Sequence, residues 1–173
     1  MRIDDLVQEW PEVAREAAKT VASKYGLPDE SCDSFLIWHE REPWKRMVLW
    51  RDEVEHRFPI PHKDVFEQVI NYRVPPERAG DLVRFDGSVV VERTRGELSA
   101  RCEGEEANFL ALNLAHEIAS GGESVTAARK KYTDAMKAFM AGDTPEYMQR
   151  LVFEVPWGGT TDPDQPMIKD DTE

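Results

Sequence analysis

RFDGSVVVERTRGELSARCEGEEANFLALNLAHE, residues Arg84 to Glu117, decides the fold. Asp86-Gly87 turns the chain into a first strand, Ser88 to Arg93. Thr94-Arg95-Gly96 has the length and the glycine of a short hairpin loop, and Glu97 to Cys102 is the returning strand. Leu98, Ala100 and Cys102 alternate onto one face of it, with Ser99 and Arg101 on the other. The most apolar helix of the chain follows, from Glu105 to Ser120, and Gly121-Gly122 ends it. This hairpin and helix take their place in an element order that suits an α+β domain.

Working outward, SFLIWHE (Ser34 to Glu40) and KRMVLWR (Lys45 to Arg51) read as strands, with Arg41 to Pro43 turning between them. If the second strand continues, His56 falls on the face of Val48 and Trp50; Asp52-Glu53 could instead turn the chain. Phe58-Pro-Ile-Pro61 is an extended connector. His62 to Tyr72 reads as a short amphipathic helix with Val65, Phe66, Val69 and Ile70 inward. Pro75-Pro76 stops it and starts another helical turn or two, Glu77 to Val83. At the N-terminal side, Ile3 to Tyr25 has helical periodicity that Pro11 interrupts, by a kink or by giving way to a second helix starting there. Val125 to Ala141 is the last long helix, and Thr144-Pro145 starts a short one. The expectation is one α+β domain over residues 1–155, with an antiparallel sheet of about four strands in two hairpins. Helices cover one face, in the order α-ββ-α-ββ-α-α. A flexible acidic tail, 156–173, follows.

Composition narrows the function classes. The 173 residues include 34 Asp and Glu against 22 Lys and Arg, a net charge of −12. That balance argues against nucleic acid and against anionic membrane surfaces. No apolar run approaches a membrane span. The N-terminus, MRIDDLVQEW, lacks a basic region and apolar run, so no signal peptide is expected. Two cysteines, Cys32 and Cys102, do not make a disulfide framework. The expectation is a reduced, cytoplasmic protein. The apolar stripe of Ile3–Tyr25 serves intramolecular packing or a dimer, so a homo-oligomer is among the expected partners.

Candidate chemistry gathers around the quoted stretch. On the central helix, Glu105 and His116 share one line, with Glu106, Asn113 and Glu117 beside it. Phe109 and Leu112 sit in or beside this polar arc, so something covers it. Cys102 lies just before a helix start, where a thiol can be activated. His116 is about three turns from it, whereas His56 or His62 could reach it through folding. The catalytic candidates are therefore Cys102 and His116; Arg101, Asn108 and Asn113 are the candidate ligand-binding residues, with Arg101 receiving a small anionic ligand. Against these stands a plain structural role: Cys102 as a small core residue, the asparagines as satisfied buried amides. No metal is expected. There is no C-x-x-C or H-E-x-x-H, and Glu53-x-x-His56 lies in a strand, where residues three apart face opposite ways. No cofactor is expected either, since the chain has no P-loop and no G-x-G-x-x-G.

PWKR (Pro43 to Arg46), FDGSVVVERTRGELSARC (Phe85 to Cys102) and NFLALNLAHEI (Asn108 to Ile118) resemble a group of uncharacterised bacterial proteins. The likeness extends to about Ala141. That group carries no assigned activity, so the resemblance implies a bacterial cytoplasmic protein and transfers no site residues. The functional expectation is a non-catalytic small-ligand-binding or assembly protein. The alternative is a small intracellular enzyme or sensor whose pocket lies between the 88–102 hairpin and the 105–120 helix.

Overall fold

Trp44–His56 forms the longest strand, and the sheet grows to both sides of it. In the computed structural model, which describes residues 2–168, the helices α1 (Ile3–Val7) and α2 (Glu12–Tyr25) come first. The strands β1 (Glu30–Ser31), β2 (Phe35–Arg41), β3 (Trp44–His56) and β4 (His62–Asn71) follow, then α3 (Ala79–Phe85). The hairpin β5 (Val89–Glu92) and β6 (Glu97–Cys102) leads into α4 (Glu105–Ala119) and α5 (Val125–Met140). The fold is α+β with a fully antiparallel sheet of order β1-β2-β3-β4-β6-β5.

Six strands replace the expected four, and the element order differs. The main correction is 62–72, a central strand and not a helix. A strand covered on both faces loses its alternation. In β4 the consecutive residues Asp64, Val65 and Phe66 are all buried, as are Gln68, Val69 and Ile70, and such apolar runs mimic a helix. Pro11 separates α1 from α2, the second of the two arrangements expected.

Cross-strand rows show how the inner face is built. Leu36, Leu49, Phe66 and Cys102 lie side by side, as do Trp38, Met47, Gln68, Ala100 and Val89. α2 and α4 pack on these rows and bury Ala14, Ala18 and Val21 of α2 and nearly all of α4 from Ala107 to Ala115. Gly121, at φ 81°, provides the left-handed residue that ends the α4 segment.

Register along β3 is broken once. Leu49 faces Phe66 but Val54 faces Asp64, so β3 advances five residues while β4 advances two. Three extra residues make a bulge and, being an odd number, flip the phase of the strand end. One result is that Glu53 reaches α2, where its Oε1 accepts from the Val13 N–H at 2.9 Å and the Ala14 N–H at 3.3 Å. α2 has no side-chain cap from Pro11, so the sheet caps it. The other result is that His56 lands opposite His62.

The stretch expected as a flexible tail is held against the sheet as far as Asp164. Thr160 Oγ1 donates to the Gly96 carbonyl at 2.7 Å, and Arg93 pairs with Asp162 and Asp164. Gly96, at φ 64°, has no room for a side chain, because a Cβ there would sit 2.1 Å from the Thr160 backbone. The last part of that stretch, 169–173, lies outside the described residues.

Candidate functional site

The end of β3, the start of β4, the end of β6 and the turn before β5 meet at one corner of the sheet. They bring together His56, His62, Asp64, Asp86, Ser88 and Cys102. His62 and Asp64 are two apart on β4, so both project to the face of Phe66. His56 joins them through the bulge. Asp86 ends α3 and folds back in a tight turn, its Oδ1 accepting from the Ser88 N–H at 2.8 Å.

The carboxylates are deeply buried: Asp64 is 2% exposed and Asp86 3%. Ser88 Oγ donates to Asp64 Oδ2. His56 Nδ1 lies 3.5 Å from the same Oδ2, and its Nε2 lies 3.6 Å from Asp86 Oδ1. His62 Nδ1 is 2.8 Å from the Ile60 carbonyl, which fixes the proton on that nitrogen. Its other nitrogen, Nε2, is 3.0 Å from Asp64 Oδ1 and 3.3 Å from Cys102 Sγ. Oδ1 meets that nitrogen as an ion pair and takes part in no hydrogen bond. Three donor atoms from His56, His62 and Asp64 fall within 4.8 Å of one another.

The electrostatics follow from this crowding. Asp64 first and Cys102 second push the His62 imidazole up to about 11. Burial pushes Asp86 above the usual carboxylate range, against the opposing pull of the Ser88 N–H and of His56. Burial also raises the Tyr132 phenol of α5, and the nearby Cys102, Asp86 and Asp64 reinforce it.

His62, Cys102 and Tyr132 also border a cavity of about 750 Å³. Its walls are Val13, Ala17 and Val21 of α2, Phe66 of β4, Ala107 of α4, and Met136, Phe139 and Met140 of α5, with Pro59–Pro61 and Met148 closing the ends. Its size and apolar lining with a few convergent polar groups are those of a small-molecule site, for which volumes run roughly 300–1,000 Å³. Around it stand the exposed carboxylates of Glu12, Glu16, Glu103 and Glu106.

The chain matches no protein-family model, no curated protein and no solved structure.

Of the five residues singled out in the sequence, only Cys102 borders the cavity. Arg101 is on the opposite sheet face, opposite Glu67 in register, and does not border the cavity. Asn108 is wholly buried and ties α4 to β4, donating to the Phe66 carbonyl at 3.0 Å and to Gln68 Oε1 at 3.1 Å. Asn113 holds the C-terminal segment: its amide donates to the Tyr147 and Arg150 carbonyls and its oxygen accepts from the Val152 N–H. His116 stacks on Phe153 with ring centroids 4.2 Å apart and has Tyr72 Oη 2.8 Å from its Nδ1. Burial holds its imidazole below the ordinary value.

The residues missed were Asp64, Asp86 and Ser88, and the pairing of both histidines with them. A signal for the first was present. His62-x-Asp64 places both side chains on one face once the segment is read as a strand.

Proposed function

We propose that the protein binds a small apolar ligand with a cationic head in the cavity between α2 and α5. The observation that carries this reading is an apolar cavity bordered by the only histidine–carboxylate–thiol group found among the described residues. Apolar walls supply the burial that drives binding. The exposed carboxylates of Glu12, Glu103 and Glu106 favour a positive head over a negative one, while Glu16 is paired with Lys19. Lys24 also reaches the rim, but it is paired with Glu105. No helix of the described residues is long and apolar enough to cross a membrane.

Thiol catalysis has weaker support. A nucleophile, base and orienting group act in series, with the orienting group on the far nitrogen of the base. Here Cys102 and Asp64 both approach the same nitrogen of His62, and the far nitrogen belongs to the Ile60 carbonyl.

Fluorescence of the neutral dye Nile red tests the binding reading. Its emission is expected to rise on addition of protein and to be displaced by dodecyltrimethylammonium at about tenfold lower concentration than by dodecanoate. That ratio corresponds to about 1.4 kcal/mol of head-group discrimination. Ala17→Phe, which fills the cavity from α2, should abolish the signal. No enhancement with the native protein, or enhancement that Ala17→Phe leaves intact, rejects the reading.

A further inference from the structure

We propose that His56, His62 and Asp64 form a binding site for a divalent transition-metal ion of the zinc class. The inference stands on the cluster alone and does not depend on what fills the cavity.

Four observations support it. First, the three side chains already place one donor atom each within 4.8 Å of the others. Second, Asp64 Oδ1 is buried and accepts no hydrogen bond, while Oδ2 is held by Ser88. Oδ1 faces only His62 Nε2, at 3.0 Å and without a hydrogen bond, and a metal ion between the two atoms would bond both in place of the proton. Third, His62 carries the partner that a metal-binding imidazole has. The Ile60 carbonyl fixes His62 Nδ1–H and leaves Nε2 as the ligand atom. His56 is held less firmly: Asp86 lies 3.6 Å from its Nε2, beyond hydrogen-bond distance, and its Nδ1 faces Asp64 with the Ser88 hydroxyl 3.4 Å away. Fourth, the spacings match. Metal–ligand bonds of about 2.0–2.1 Å in a tetrahedron put neighbouring ligand atoms about 3.3 Å apart. His62 Nε2 is 3.0 Å from Asp64 Oδ1 and 3.3 Å from Cys102 Sγ; His56 Nδ1 is 3.5 Å from the other carboxylate oxygen, Oδ2, which Ser88 also holds, and joins the set within the 4.8 Å span.

Donor chemistry sets the class of ion. Two imidazoles, one carboxylate and an adjacent thiol suit zinc or cobalt(II). Magnesium and calcium demand all-oxygen shells. Both His62 and Cys102 border the cavity, so the site meets it on that side.

Cobalt(II) titration of the native protein, followed by visible absorbance, tests the proposal. One equivalent per chain is expected, displaced by zinc and untouched by magnesium. His56→Ala and His62→Ala should each weaken binding by more than about 100-fold, beyond the loss that an outer partner causes. His116→Ala, on a remote histidine, should leave it unchanged. X-ray absorption of the native cobalt complex gives a reading that needs no variant, and should show two imidazoles. Absence of stoichiometric cobalt and zinc binding, binding that survives both histidine variants, or a bound ion without imidazole overturns the site. The cluster would then be an imidazolium balancing two buried carboxylates.

Discussion

Replacing Phe66 with alanine is expected to lower stability by about 3–5 kcal/mol, the range for emptying an aromatic site in a core. The ring is 1% exposed, lies in the row Leu36–Leu49–Phe66–Cys102, and also forms a wall of the cavity. Its loss removes packing at the centre of the sheet, and β4 cannot collapse to fill the gap because strands pair with it on both sides. Against a typical total of about 5–15 kcal/mol, this is a large share. Thermal unfolding should fall by roughly 6–20 °C for a chain of this size. Phe66→Leu, which keeps most of the volume, should cost less than about 2 kcal/mol. If Phe66→Ala unfolds within a degree or two of the native protein, the assignment of 62–71 as a central strand is wrong.

Glu105→Ala is expected to cost about 3 kcal/mol, because its carboxylate gathers four donors. Trp44 Nε1 and Gln68 Nε2 each donate to Oε1 at 2.9 Å, and Lys24 and Tyr25 reach the same group. Glu105 thus binds α4 to α2 and to the sheet at once. Removing it leaves Trp44 Nε1 with only the Tyr25 hydroxyl at 3.2 Å and Gln68 Nε2 with only the weakly accepting Met47 sulfur at 3.4 Å. Glu105→Gln keeps an acceptor and should lose about half as much. The pH dependence has a defined sign. Burial alone would raise the Glu105 carboxyl, but the Lys24, Tyr25, Gln68 and Trp44 donors together outweigh it and hold it below its ordinary value. A depressed carboxyl contributes stability above the unfolded pKa, near about 4.3, and loses it as pH falls through the folded value. Chemical denaturation should therefore find the stability gap between the native protein and the Glu105→Gln variant full above about pH 5 and shrinking below about pH 4. A gap that widens with acid would show that the carboxylate is not held by these donors.

Much of the fold was legible, and the failures have identifiable causes. The two hairpins, α4 and α5 follow directly from alternation, glycine turns and helical periodicity. Segment 62–72 reads as a helix because burial on both faces erases the alternation that marks a strand. That one error hides the site, since on a strand His62 and Asp64 share a face. The β3 bulge hides the rest. Counting twos from Val48 puts His56 on the outer face, and only three inserted residues bring it round to His62. Nothing in composition places such an insertion. Of the two uses expected for the Ile3–Tyr25 stripe, intramolecular packing is seen for Ala14, Ala18 and Val21, which lie in the core. Cys102 was legible because it depended on a hairpin and a helix start, both read correctly.

Methionine methyl NMR tests the central claim, that the α2–α5 cavity is the ligand site, most directly. Met136, Met140 and Met148 line the cavity, whereas Met47 is buried in the sheet and Met167 is exposed. On adding dodecyltrimethylammonium, the resonances of Met136, Met140 and Met148 should shift together and saturate, with Met47 and Met167 unmoved. Shifts absent from those three, or spread equally over all the methionines, would contradict the account.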